Sequence, residues 1–597
     1  MINLKAVVHV LSVVFVVGGV GAFASSDAPP AARFERVIIL GTNDIHGGVE
    51  ARTIKDGSVL GGMAQWAGIV SAIKKGVTRA EVPSRVLVMD AGDQFQGTLL
   101  SNINEGKLVF ELMSRAGYDV AITGNHGYDF GPKGWLEDKV TSTSEDQNPR
   151  GALEEAIKSA KFPLVSANTF LKKSFYDTEG HELQVSSVGC EPSSMTGDPI
   201  DWSRTQRPAF LKPYVIFPLG GVRVAVIGID NPGTPTSTTP ANVSDLCFAK
   251  EAETYLRVRA EIGDKADVFV MLIHDGNSPG RGGAVQARPH EPDAEEKTLE
   301  FTTTVGKILE DYKGPGSALD AVIAGHTHTV NHLKISGVPV IQSRSGGDMF
   351  GRVDLMYDHE EKRVVTDKTR SWAAISIYDS RCAPAADFCK AVEGGVTYEG
   401  EIAPADESVL KRLAEARAEI AGISGRKLGE AKKGLGRDRV RESALADVLT
   451  DQLRAISGAE ISFMNTGGIR TDLRAGTITY EDFFKVLPFN NRGVKMGPMS
   501  VTDLMTPLKS SISGCGSRGA LMQSGLRVQF DSNCSGDDDA KGSSLIRVEM
   551  VSGELIYDRA KSDAVVSPSR TFIVATLDFL AAGGSGYSEF KSIPVIE

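Results

Sequence analysis

Five short apolar runs constrain this chain more than any other feature: Val37-Ile38-Ile39-Leu40, Val86-Leu87-Val88-Met89, Val120-Ala121-Ile122-Thr123, Val268 to Ile273, and Ala321-Val322-Ile323-Ala324. Continuous apolar runs of this length, bounded by polar residues, read as strands covered on both faces. Each run gives way at once to polar residues: Asn43-Asp44-Ile45-His46, Asp90-Ala91-Gly92-Asp93, Gly124-Asn125-His126-Gly127-Tyr128-Asp129, His274-Asp275 and Gly325-His326-Thr327-His328. In open α/β sheets the residues following strand carboxyl ends converge on one crevice. The pattern predicts an α/β domain from residue 36 to 376, with these side chains gathered at one edge of its sheets. Stretches 141–152, 190–208 and 275–298, rich in Gly, Pro, Ser and charge, read as surface insertions.

With 597 residues, the chain is too long for one ordinary core, so further domains are expected. Its 41% apolar and 24% charged residues are those of an average globular protein. A net charge of −11 leaves no electrostatic footprint for a nucleic-acid polymer. An anionic ligand must then be held by local cationic side chains or by metal.

Seven candidate metal ligands follow the five strands. A pair of divalent ions needs one carboxylate shared between them and hard or borderline ligands around them. Asp93 is the natural bridge; Asp44, His46 and His328 complete one site, and Asn125, His274 and His326 the other. A single histidine after a strand is most often structural, but five of the ten histidines in the chain fall in these positions. The His-rich, thiol-free set suits Zn²⁺ or Mn²⁺.

Lys5 precedes an apolar run to about Val20 that ends in Ala22-Phe23-Ala24, the form of a secretory signal peptide over residues 1–24. An uncleaved N-terminal anchor is the alternative; otherwise no membrane span and a periplasmic or secreted location are expected. The six cysteines fit an oxidising compartment. Nearest-neighbour pairing would give 190–247, 382–389 and 515–534, among fifteen connectivities.

Residues 377–424 read as a connector in which Asp406 caps a helix carrying Val409, Leu410, Leu413 and Ile420 on one face. From residue 425 to 597 a second, smaller α/β domain is expected. It contains Asn465-Thr466-Gly467-Gly468-Ile469-Arg470, Leu487-Pro488-Phe489-Asn490-Asn491, Ser524-Gly525-Leu526-Arg527 and Phe579-Leu580-Ala581-Ala582-Gly583-Gly584-Ser585-Gly586-Tyr587.

D-x-H at Asp44, Gly92-Asp93-Gln94-Phe95-Gln96-Gly97, Gly124-Asn125-His126 and Gly325-His326-Thr327-His328 together resemble the calcineurin-like metallophosphoesterases. With the C-terminal motifs, nearly the whole mature chain resembles the secreted bacterial 5′-nucleotidase and UDP-sugar hydrolase family. The resemblance implies a four-layer sandwich of two mixed sheets flanked by helices, joined by the helical connector to the smaller domain. It implies two divalent metal ions on the ligand set above and a catalytic dyad of His126 and Asp129. The implied reaction is in-line attack by metal-activated hydroxide on nucleoside 5′-monophosphates and related nucleotides, releasing nucleoside and phosphate. Family members usually carry an acidic residue where this chain has Gly127.

The same resemblance assigns Arg437, Arg441 and Arg470 to the substrate phosphate, Phe489 and Phe579 to the nucleobase, and Asn491 to a hydrogen bond with the base. Arginine's planar fork suits phosphate, and base stacking on a ring contributes about 1–3 kcal/mol. Arg439, between the first two arginines, reads as the solvated one, and Phe483 and Phe484 read as core. Ser585 stands where the family has an Asp that accepts from ribose. The expected partner is a small nucleotide and the expected state a monomer. UDP-sugar or 2′,3′-cyclic nucleotide hydrolysis, sulfur-ester hydrolysis of the thiosulfate-oxidising type, and a non-catalytic surface binding protein are the rival readings.

Overall fold

A computed structural model describes residues 32–597 other than 135–147, 194–198, 277–299, 384–385, 440, 514–519, 532–543 and 562–563. The signal segment, much of two predicted insertions and the 515–534 pairing lie outside the described residues.

All five apolar runs contribute strands of two mixed sheets. In the first, Phe34–Thr42 runs parallel to Ser84–Asp90, followed in parallel by Val120–Ala121, Leu164–Val165 and Leu211–Lys212. Met349–Asp358 continues its other side antiparallel and itself pairs with Arg363–Val364 and Arg370–Ser376. In the second, Val222–Ile229, Val268–Ile273, Ala321–Ala324 and Val338–Ser343 are parallel, flanked by antiparallel Tyr214–Leu219 and Val330–Ile335.

Side-chain alternation along these strands builds the layers. Val37, Ile39, Leu87 and Met89 meet Val224, Val226, Val270 and Leu272 between the sheets. Ile38, Leu40 and Val88 point the other way, onto helices Met63–Gly76 and Lys107–Arg115. Ala225, Ile227 and Met271 point onto helices Glu251–Ile262 and Glu300–Asp311. The result is a helix–sheet–sheet–helix sandwich whose buried aliphatic side chains each contribute about 1.5–3 kcal/mol.

A small sheet of Cys389–Val392, Gly395–Tyr398 and Glu401–Ile402 leads to the connector helix, Glu407–Ser424. Asp406 caps it by accepting the Val409 N–H at 3.0 Å. Its buried face is Val409, Leu413, Ala416 and Ile420, packed into the N-terminal core. Leu410 does not join that face and is 48% exposed, because it stands about 100° round the helix from Val409. The disulfides Cys190–Cys247 and Cys382–Cys389 are formed, as nearest-neighbour pairing predicts.

The C-terminal domain has a four-stranded sheet in the order Gly493–Ser500, Thr571–Leu577, Ile461–Asn465, Leu521–Ser524. Beside it lies a three-stranded sheet of Leu526–Asp531, Ser544–Met550 and Leu555–Asp558. Phe484 is buried, but Phe483 is exposed, since the short helix Tyr480–Val486 has only one covered face.

The two domains touch directly. From the connector helix, Arg417 pairs with Glu50 of the N-terminal domain and with Glu481 of the C-terminal domain, the latter at 2.8 Å. Asn102 Nδ2 donates to the Pro488 carbonyl at 3.0 Å. No helix among the described residues is long and apolar enough to cross a membrane.

Candidate active site

The loops after the strands converge where the two sheets' carboxyl ends meet. Asp44, His46, Asp93, His326 and His328 all adopt positive φ, between 48° and 71°. A non-glycine residue there costs on the order of 1–3 kcal/mol and persists only where its surroundings hold it. Backbone bonds between the loops do so: Asp44 N–H to Gly92 O and His46 N–H to Asp93 O, both 2.9 Å, and Gly325 N–H to Asp275 O at 3.1 Å.

The side chains then face one another. Asp93 Oδ2 lies 3.1 Å from His274 Nε2 and 3.9 Å from His46 Nε2, between the two halves of the cluster. On one side His328 Nε2 is 3.5 Å from Asp44 Oδ1 and 2.9 Å from His46 Nε2. On the other, Asn125 Oδ1 is 3.0 Å from His274 Nε2 and 2.9 Å from His326 Nδ1. Asp44, His46 and His328 form one potential ion-binding group, and Asp93, His274 and His326 another.

This donor set fits cations. His46 donates from Nδ1 to the Gln96 carbonyl at 2.9 Å, and His274 from Nδ1 to the Ala91 carbonyl at 2.6 Å. With Nδ1 so committed, each ring turns its Nε2 toward the cluster, the arrangement that orients metal-ligating histidines. Asn125 donates its amide to Ser237 O at 3.0 Å, which turns its oxygen inward. Lone pairs thus face lone pairs and carboxylates, and a cation between them would relieve the repulsion.

The electrostatics agree. Burial pushes His46 and His328 well below the usual histidine value and His326 down to about 3, so these rings are neutral. At His274 burial pulls the same way, but the Asp93 and Asp44 carboxylates prevail and lift it to about 10. The field that would hold a proton there would equally hold a metal ion.

His126 and Asp129 stand beside this cluster on the turn His126–Tyr128. His126 Nδ1 is 2.6 Å from Asp129 Oδ2, and the His126 backbone N–H donates to Asp93 Oδ1 at 2.8 Å. Burial lowers the imidazole's affinity for a proton, but the charges of Asp129 and Asp93 more than compensate, and its pKa is raised. Gly127 has a packing reason: a Cβ there would come within 2.3 Å of Thr123 Cγ2.

From the C-terminal domain, Arg470 reaches His46, its Nη2 lying 3.3 Å from Nε2. The Phe489 ring lies 5.5 Å from the His126 ring and 5.6 Å from the Arg470 guanidinium carbon. Arg437 donates to Ile469 O at 3.2 Å, beside Arg470. Arg441 is exposed, its backbone N–H bonded to Asp438. Arg439 is exposed, as expected of the solvated member, and it also stands close enough to push down the pKa values of His328 and Arg470. Its carbonyl accepts from Thr466 Oγ1 and Ala520 N, which pins it against the Arg470 loop.

Phe579 is half-buried and lies flat against Gly584, where a Cβ would fall 2.4 Å from the ring. Asn491 is half-buried, next to the Arg492–Asp578 backbone bond. Ser585 sits at φ 54°, and its hydroxyl accepts from Asn465 Nδ2 at 3.1 Å. Asn465 went unnoticed among the sequence motifs although it opens one of them. Its Oδ1 is buried with no hydrogen-bond partner, the mark of a group awaiting a ligand.

Residues 427–592 match the family model described as the 5′-nucleotidase C-terminal domain. Over 590 residues the chain is 25% identical to the protein UshA of Yersinia enterocolitica, covering 94% of this chain and 87% of the relative. A 5′-nucleotidase precursor from Thermus thermophilus superposes with a TM-score of 0.63 at 22% identity, over 94% of this chain and 93% of that one. The sulfate thiohydrolase SoxB of Thermus thermophilus superposes with a TM-score of 0.58 at 17% identity, over 94% and 91%. These structures share the two-domain mixed α/β fold. Residues 427–592 thus form a 5′-nucleotidase C-terminal domain, and the chain as a whole shares the fold of these solved structures.

Proposed function

We propose that the protein is an exported dinuclear-metal phosphohydrolase that cleaves nucleoside 5′-monophosphates and related nucleotides to nucleoside and phosphate. The observation that carries this reading is the meeting, in one crevice, of the Asp/His/Asn cluster and the His126–Asp129 pair with Arg470 and Phe489 of the other domain. Asp44, His46 and His328 would hold one cation and Asn125, His274 and His326 the second, with Asp93 shared. Cations bound there supply Lewis-acid stabilisation of the phosphoryl oxygens and a nucleophile at neutral pH.

The chain's own residues do the rest. Arg470, with Arg437 and Arg439 beside it, meets the anionic phosphate; Arg441 is assigned by resemblance and serves from the exposed rim. Phe489 and Phe579 hold the base, Asn491 bonds its edge, and Ser585 with Asn465 lines the ribose side. His126, its pKa raised by Asp129 and Asp93, stabilises the charge that develops on the leaving oxygen and can supply its proton. The disulfides favour the periplasm or the exterior.

The SoxB likeness makes sulfur-ester hydrolysis the second reading, since that protein shares the fold. A phenylalanine lying over the dyad beside a half-buried arginine favours a phosphate ester that carries an aromatic base. The deciding experiment is a phosphate-release panel after chelation and readdition of Zn²⁺, Mn²⁺ or Co²⁺, over AMP, UMP, ATP, UDP-glucose, 2′,3′-cyclic AMP and bis(p-nitrophenyl) phosphate. AMP and UMP turning over fastest supports the proposal; no metal-dependent release from any of them overturns it.

A further inference from the structure

The dyad carboxylate has a second anchor that no motif contains. Asp129 Oδ2 meets His126, and Asp129 Oδ1 accepts a 2.7 Å hydrogen bond from Thr238 Oγ1. Thr238 is 1% exposed, and its backbone N–H is bound to Thr234 O at 3.1 Å. A carboxylate held through one oxygen can swing about its Cβ–Cγ bond. Held through both, it fixes the plane in which it meets the imidazole.

The surrounding segment supports the same pair of functions. The Ser237 carbonyl orients the Asn125 amide, Asn242 Nδ2 binds the Tyr128 and Asp129 carbonyls at 2.8 and 3.2 Å, and Thr239 Oγ1 bonds Asp129 O at 3.4 Å. The short helix Thr234–Ser237 also packs against Gly584–Gly586, the turn of the C-terminal domain that carries Ser585. One segment therefore touches a metal-ligand candidate, the dyad and the ribose-side turn.

We propose that Thr238 is a positioning residue, completing a Thr238–Asp129–His126 chain that aims the imidazole at the leaving oxygen. It rests on the dyad reading given above. The chemistry of the leaving group separates it from a structural role. Proton assistance matters for a basic alkoxide, such as the 5′-oxygen of a nucleoside, and little for p-nitrophenolate.

The test compares metal-replete Thr238→Val, Thr238→Ser and His126→Ala on AMP and p-nitrophenyl phosphate, with bound metal measured by elemental analysis. Loss of a positioning hydrogen bond around a site typically lowers activity about 10–100-fold. Thr238→Val should show such a fall in kcat for AMP, an unmoved KM, a much smaller fall for p-nitrophenyl phosphate and full metal content, with Thr238→Ser close to the parent. Equal losses on both substrates, depleted metal in Thr238→Val, or an unimpaired Thr238→Val beside a crippled His126→Ala would each overturn the inference. An unimpaired His126→Ala would remove the dyad reading itself.

Discussion

Arg470 and His46 stand 424 residues apart in sequence and on different domains, yet their side chains meet at 3.3 Å. Burial and the charge of Arg439 lower the Arg470 pKa to about 10, which still leaves it cationic at neutral pH. Among the described residues no carboxylate pairs with it. The attraction of Asp93 and Asp129 compensates only part of its desolvation, and an arriving phosphate would relieve more of that cost.

Arg470→Ala should therefore weaken substrate binding. A hydrogen bond to a charged group contributes about 1.5–3 kcal/mol, so KM for AMP should rise roughly tenfold to a hundredfold. Arg470→Lys should recover only part of this, because lysine lacks the planar fork. Steady-state kinetics decide it; an unchanged KM in Arg470→Ala takes this residue out of the phosphate grip.

His126→Ala should keep its metal and its fold, since the ring is outside the proposed ligand set. Its kcat should fall by about 10²–10⁴, the usual size of a proton-transfer contribution. Parallel metal analysis and turnover measurements check both halves of the expectation.

The pH dependence has a definite sign. His126 is raised above the ordinary histidine value, so activity should be lost as pH climbs through that raised pKa. Asp129→Asn removes the carboxylate that raises it, and the alkaline limb of the kcat profile should move to lower pH. A limb that stays in place in this variant would show that His126 is not the titrating group.

Ser585→Asp should lower KM for AMP, by roughly tenfold if a charge-assisted bond to a ribose hydroxyl replaces a neutral one. The backbone tolerates it, because φ 54° is a region that Asp enters more readily than most residues. Comparing AMP with 2′,3′-dideoxy-AMP tests the cause: the gain should vanish without the hydroxyls.

Stability should also carry a signature away from the site. Asp320 accepts the Phe269 N–H at 2.8 Å in a buried setting, and burial lifts its pKa to about 6. The folded state then binds a proton that the unfolded state has released. Its contribution is complete below the unfolded value near 4 and is lost as pH rises through 6. Relative to Asp320→Asn, the parent should lose on the order of 2 kcal/mol between pH 4 and 7 in urea titrations of chelator-treated protein. A difference independent of pH would mean that Asp320 is already ionised in the fold.

Much of the molecule could be read from local pattern. Apolar runs such as Val268 to Ile273 are buried on both faces because helices cover both outer sides of the sandwich, and a run of that kind has no other stable place. The residues after the runs gather in one crevice because the strands that carry them run side by side in parallel. Asp406 marked its helix start through a cap that depends only on the next three residues.

What escaped that reading depends on contacts between distant segments. Leu410 and Phe483 look apolar enough for a core, and only the packing of their helices turns them outward. Arg439 and Arg441 are both exposed, and the nearness of Arg439 to the cluster comes from Thr466 and Ala520 holding its carbonyl. Thr238 carries no pattern of its own, and Asn465 opens a motif that does not name its partner Ser585. The chain by itself determined the layered fold and which Asp, His and Asn side chains gather after its strands, since hydrophobic period and residue chemistry are local properties. Only the tertiary structure decided which arginines approach the cluster and what steadies Asp129, because both are set by bonds between segments distant in sequence or between domains.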